Sequence, residues 1–115
     1  GMARRIREHC RQAREFASWV DADPYWERLA PVPFSTVCLR HRPARFRSGA
    51  PGADDEARLE TLNAAILERV NRSGRIFLPH TKLAGRYTIR VTLGNPRSSP
   101  DHVRLCWDLL RDAAR

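Results

Sequence analysis

The stretch from Arg86 to Leu93 alternates apolar and polar side chains, and Gly94-Asn95-Pro96 closes it. A period of two is the pattern of a strand with one buried face. Tyr87, Ile89, Val91 and Leu93 point one way, and Thr88, Arg90 and Thr92 point the other. A strand of this kind cannot stand alone, because its backbone N–H and C=O groups need partners and its apolar face needs a cover. The rest of the chain must supply both.

Partner strands can be read upstream. Phe34 to Arg40 is β-branched and aromatic, with Ser35, Val37 and Leu39 on one face and Phe34, Thr36, Cys38 and Arg40 on the other. Tyr25 to Leu29 forms a short strand between Asp23-Pro24 and Pro31-Val32-Pro33, and Arg75 to Thr81 is a strand candidate interrupted by Pro79. Leu83-Ala84-Gly85 makes a turn, and His41 to Ala53 a loop marked by Pro43, Gly49, Pro51 and Gly52.

Three helical segments supply the cover. From Met2 to Asp21, Ile6, Cys10, Ala13, Ala17 and Val20 recur at helical spacing with Phe16 beside them, and most arginines lie opposite. Asp54 or Asp55 caps a second helix whose buried stripe is Leu59, Leu62, Ile66 and Val70, and Gly74 fits the position past its end. Ser98 or Ser99 caps a third, with Pro100 and Asp101 in its first turn and Val103, Cys106, Trp107 and Leu110 on its inner face. The order predicts an α+β fold: a small antiparallel sheet of three to four strands with helices packed on one face. One domain is expected over 1–115, with a leading helix at 2–22 and the sheet domain at 25–115.

Composition excludes several function classes. The net charge is +8, and among 21 basic residues Lys82 is the only lysine. The charge is scattered along the chain and the strands lack a paired aromatic platform, so nucleic acid is not the expected partner, and a stand-alone basic α+β module binding nucleic acid or a protein partner is the alternative reading. No segment approaches the ~20 apolar residues that span a bilayer, so no membrane role is expected. The start, Gly1-Met2-Ala3-Arg4-Arg5, lacks the apolar core of a secretion signal. Cys10, Cys38 and Cys106 have no metal-ligand spacing and read as free thiols, and a cytoplasmic location follows. His9, His41, His80 and His102 show no metal spacing either, and the common nucleophile, phosphate-loop and dinucleotide motifs are missing. No catalytic residue and no metal ligand is assigned.

Two cations merit separate attention. Lys82 lies in a hairpin-like stretch with no acidic residue close in sequence and reads as a solvated turn lysine. Arg90 is a long cation in the middle of the best strand. It is either a charge on a solvated sheet face or a fork that binds a carboxylate, which guanidinium pairs with bidentately.

Three stretches, taken in order, carry a resemblance. Arg14-Glu15-Phe16-Ala17-Ser18-Trp19-Val20 precedes Asp23-Pro24, and Ala30-Pro31-Val32-Pro33-Phe34 leads into Val37-Cys38-Leu39-Arg40. Leu62 to Gly74 then continues into His80-Thr81-Lys82-Leu83-Ala84-Gly85-Arg86-Tyr87, on to Arg90 and Gly94-Asn95-Pro96, with the helix from His102 to Trp107 following. This ordered set resembles the C-terminal small domain of the group II pyridoxal-phosphate (PLP)-dependent amino-acid decarboxylases, and the aromatic-amino-acid branch more than the glutamate branch. The resemblance implies the C-terminal domain of PLP transferase fold type I, in an enzyme that removes carbon dioxide from an amino acid with the cofactor ring as electron sink. It implies a homodimer whose large PLP-binding domain, the partner of this one, supplies the cofactor lysine, the aspartate under the ring nitrogen and the stacked histidine. None of those motifs occurs here, so no PLP is expected in this chain and the chain alone is expected to be inactive. The resemblance also implies that the small domain closes one side of the substrate cleft, with Arg90 as its candidate substrate-binding residue.

Overall fold

The structure, a computed structural model, describes residues 2–29, 36–43, 52–92 and 100–115. The elements run α1 (Met2–Ala22), β1 (Trp26–Arg28), β2 (Thr36–His41), α2 (Ala53–Arg72), β3 (His80–Leu83), β4 (Arg86–Thr92) and α3 (Pro100–Ala113). The strands form one antiparallel sheet in the order β1-β2-β4-β3. β2 and β4, separated in sequence by α2, pair at the centre with Val37 opposite Val91 and Leu39 opposite Ile89. This is the α+β architecture that the element order predicts.

The alternation of β4 sets the layers. Ile89 and Val91 are buried, and so are Val37 and Leu39 of β2 and Trp26 of β1. They join one core with Ala13, Phe16 and Val20 of α1, Ile66 and Val70 of α2, and Val103, Trp107 and Leu110 of α3. Trp107 ties the layers together: its ring meets Phe16 edge-on at 5.7 Å and Trp26 at 5.5 Å. Each fully buried side chain of this size stabilises by about 1.5–3 kcal/mol. The leading helix shares this core with the sheet and the other two helices.

Some boundaries differ from the sequence reading. The second helix begins at Ala53 with Gly52 at its N-cap and no side-chain cap, so Asp54 and Asp55 are not caps. Together with Glu56 they lie in the first turn, where the positive end of the helix dipole favours them. Arg75 to Thr81 is not a strand; β3 begins only at His80 and runs through Leu83. Pro79 has no N–H to give a ladder, and Leu78 finds other partners. The turn is therefore tighter than Leu83-Ala84-Gly85: Ala84 and Gly85, at φ 52° and 79°, form a two-residue hairpin. Leu62 is only partly buried, and Asn63 and Leu67 take its place in the stripe of α2. The expected caps Ser98 and Ser99, the stop at Gly94-Asn95-Pro96, and Phe34, Ser35 and Leu93 lie outside the described residues.

Two asparagines of α2 do what strands would otherwise do. Asn63 is fully buried; its Oδ1 accepts from the His41 N–H at 2.7 Å, and its Nδ2 donates to the His41 carbonyl at 2.9 Å. The same Nδ2 also donates to the Leu59 carbonyl at 2.9 Å. Asn71, two turns further on, treats Leu78 alike: its Oδ1 accepts from the Leu78 N–H at 2.7 Å and its Nδ2 donates to the Leu78 carbonyl at 2.9 Å. Each carboxamide thus completes one backbone residue where the sheet does not. Asn63→Leu keeps the volume but strands the N–H and C=O of His41. The expected loss is about 2–4 kcal/mol of folding stability, read as a fall in the urea midpoint at unchanged slope; an unchanged midpoint would show that the clamp contributes nothing.

Candidate functional site

The sheet face turned away from the core carries Arg40 of β2 and Arg86 and Arg90 of β4. Arg40 stands opposite Glu27 of β1, and Arg90 stands opposite Cys38 of β2, so both guanidinium groups belong to the same side. Their surroundings separate them. Arg40 is buried, with 1% of its surface exposed; its Nε donates to Glu27 at 2.9 Å and its Nη1 to Glu56 at 2.7 Å. Burial works against its charge, but the hydrogen bonds it donates to Glu56 and Glu27 outweigh that and raise its pKa above the ordinary arginine value. It locks β1 and β2 onto the first turn of α2, enclosed away from solvent.

Arg90 is exposed, and among the described residues no carboxylate pairs with it. Its position is fixed through the backbone, where its N–H donates to the Pro79 carbonyl at 3.0 Å. Thr88, its neighbour on the same face, is fully buried and turns its hydroxyl back to the Arg86 carbonyl at 2.9 Å. The strand therefore presents Arg90 as an exposed fork with no carboxylate partner among the described residues, a chemistry that suits a carboxylate.

Lys82 is not a turn lysine. It lies in β3 opposite Tyr87, with Nζ 3.0 Å from the Glu60 carboxylate of α2. Its acidic partner is distant in sequence, which is why the reading of neighbouring residues missed it. Tyr87 is three residues before Arg90 on the same strand, so Lys82 and Arg90 face opposite sides of the sheet and share no site. Burial, with a smaller push from Glu60, raises the Tyr87 hydroxyl above its ordinary pKa.

PLP needs a lysine amine for its aldehyde, an acid for its ring nitrogen and donors for its phosphate. Here the sole lysine is ion-paired on an edge strand. It lines neither the cleft at Trp19 and Trp107 nor the cleft at Phe77 and Val91. The residues present do not fit the group. The described residues also hold no His, Cys, Asp or Glu cluster able to bind a metal ion, and no described helix is long and apolar enough to cross a membrane. Among the described residues, Arg11, Arg28, Arg40, Arg72, Arg104 and Arg111 each have a carboxylate partner.

No family model matches the chain. Tyrosine decarboxylase 4 of Petroselinum crispum is 39% identical over 109 residues, which cover 95% of this chain and 21% of that protein. Phenylacetaldehyde synthase of Arabidopsis thaliana is 33% identical over a stretch covering the same shares. The crystal structure of Oryza sativa TDC with PLP and tryptamine superposes with a TM-score of 0.84 at 28% identity, over 96% of this chain and 22% of that one. Over nearly its whole length the chain is similar to part of the PLP-dependent amino-acid decarboxylases. It spans about a fifth of the length of the relatives it matches and has the fold of their C-terminal small domain.

The Cys106 thiol, 2% exposed, is not placed to act as a nucleophile. Burial raises Cys106 from 9.0 to about 12. A thiol raised in the folded state stabilises the fold fully below the unfolded value. That contribution is lost as pH climbs from 9.0 towards about 12, by ~1.4 kcal/mol per unit. Urea midpoints should therefore fall between about pH 9 and 11, and Cys106→Ala should remove that part of the slope. A variant with the undiminished slope would contradict the assignment.

Proposed function

We propose that this chain is the cleft-closing small domain of a larger PLP-dependent decarboxylase of aromatic L-amino acids, acting as a homodimer in the cytoplasm. One observation carries the reading. Nearly the whole chain aligns with a fifth of enzymes named as tyrosine and tryptophan decarboxylases, while its own residues offer no place for the cofactor those enzymes require. The work of this domain is then positional: it docks on a large PLP-binding domain, keeps water from one side of the cleft and orients the substrate. Arg90 is the residue proposed to meet the substrate carboxylate. Its exposure, its fixed backbone and its lack of a carboxylate partner among the described residues support that role. The three free thiols fit a reducing compartment. Relatives named for decarboxylation and for aldehyde synthesis align with the same share of this chain. That supports assigning the choice of reaction to the remainder of the polypeptide.

The test is a chimera in which this chain replaces the matched fifth of the Petroselinum crispum enzyme. It should bind PLP and release carbon dioxide from tyrosine, and the chain alone should do neither. Arg90→Met in the chimera should raise KM about tenfold, a loss of ~1.4 kcal/mol, without moving the urea midpoint of the isolated chain. Turnover by the isolated chain, or a folded chimera without activity, would overturn the proposal.

A further inference from the structure

The segment between α2 and β3 holds an aromatic ring in water. Ile76-Phe77-Leu78 is outside any strand, yet its direction is fixed. Leu78 is 7% exposed and both its backbone groups are bound by Asn71. Phe77, the next residue back, is consequently turned outwards and is 79% exposed; the other exposed large apolar side chain among the described residues, Tyr25, reaches 46%. Phe77 edges a cleft of about 480 Å³ whose wall is apolar at Ile76, Leu78 and Val91 and polar at Arg75, Thr92 and His102. A Phe left in water forgoes about 1.5–3 kcal/mol of burial, and the Asn71 clamp prevents the segment from rotating to recover it. A rigid aromatic knob beside a partly apolar hollow is the arrangement of an interface anchor, already ordered before its partner arrives.

We infer that Phe77 and the adjoining cleft form the docking surface for the remainder of the parent decarboxylase polypeptide, which contributes an apolar side chain to fill the hollow. The inference rests on the proposed function, and the length of the relatives supplies its occupant: about four fifths of each lies outside the matched segment and must cover some part of this domain. Phe77 is the described apolar side chain with most to gain from that cover.

The same chimera tests it. Phe77→Ser should increase about tenfold the rate at which a protease severs the small domain from the rest, because the undocked state becomes more populated. Tyr25→Ser, a control at the other cleft, should leave the rate unchanged. In the isolated chain Phe77→Ser should not lower the urea midpoint, which excludes misfolding as the cause. Equal cleavage rates with and without Phe77, or an equal rise for Tyr25→Ser, would overturn the inference. So would an isolated chain that dimerises through Phe77 while the chimera is indifferent to its loss, because the surface would then serve a second copy. Chimera activity reports the decarboxylase reading and the cleavage rate reports the docking, so the two fail separately.

Discussion

A buried carboxamide fixes the helical layer against the sheet. Where β2 runs past its pairing with β4 at Leu39, the backbone of His41 is completed by Asn63, a side chain from α2. An unmet N–H and C=O buried there would each cost about 1–3 kcal/mol, so β2 depends on α2 being in register. Asn71 repeats the bond eight residues later on Leu78, a spacing of about 12 Å along a helix. Between these two polar fixtures α2 buries Ile66, Leu67 and Val70. The apolar stripe supplies most of the adhesion, and the asparagines fix the helix at one height along the sheet.

That division explains what could be read from residues alone. β4 and the inner face of α3 were legible because periodicity encodes burial directly: Ile89, Val91, Val103, Cys106, Trp107 and Leu110 are all buried as their spacing requires. Asn63 sits four residues after Leu59, on the buried stripe, and a polar side chain there was the available sign of a clamp. Arg40 left no such sign, since a charge at an alternating strand position normally faces water. Its burial depends on Glu27 and Glu56, which come from two other elements. The partner of Lys82 was hidden for the same reason, as Glu60 lies on α2. The run from Arg75 to Thr81 has strand composition, but Asn71 captures Leu78 and Pro79 offers no N–H, so the ladder starts late.

Arg40 and Arg90 on the outer sheet face show how similar residues acquire different work. Arg40 is enclosed by acids and spends its donors on the fold. Arg90, on the next strand, has its backbone tied and its fork open. A domain built this way is suited to holding a substrate group or a neighbouring surface in place, and its lone lysine, paired with Glu60, is not placed to carry cofactor chemistry. The match to a fifth of each decarboxylase relative is consistent with that division of labour.

Through its asparagines α2 forms one rigid unit with the sheet, and native-state hydrogen exchange of the isolated chain tests this directly. The amides of His41 and Leu78 should exchange as slowly as those of Leu39 and Ile89 at the sheet centre, opening only when the whole domain unfolds. Exchange at His41 and Leu78 on the timescale of an exposed loop, with the sheet centre still protected, would contradict it.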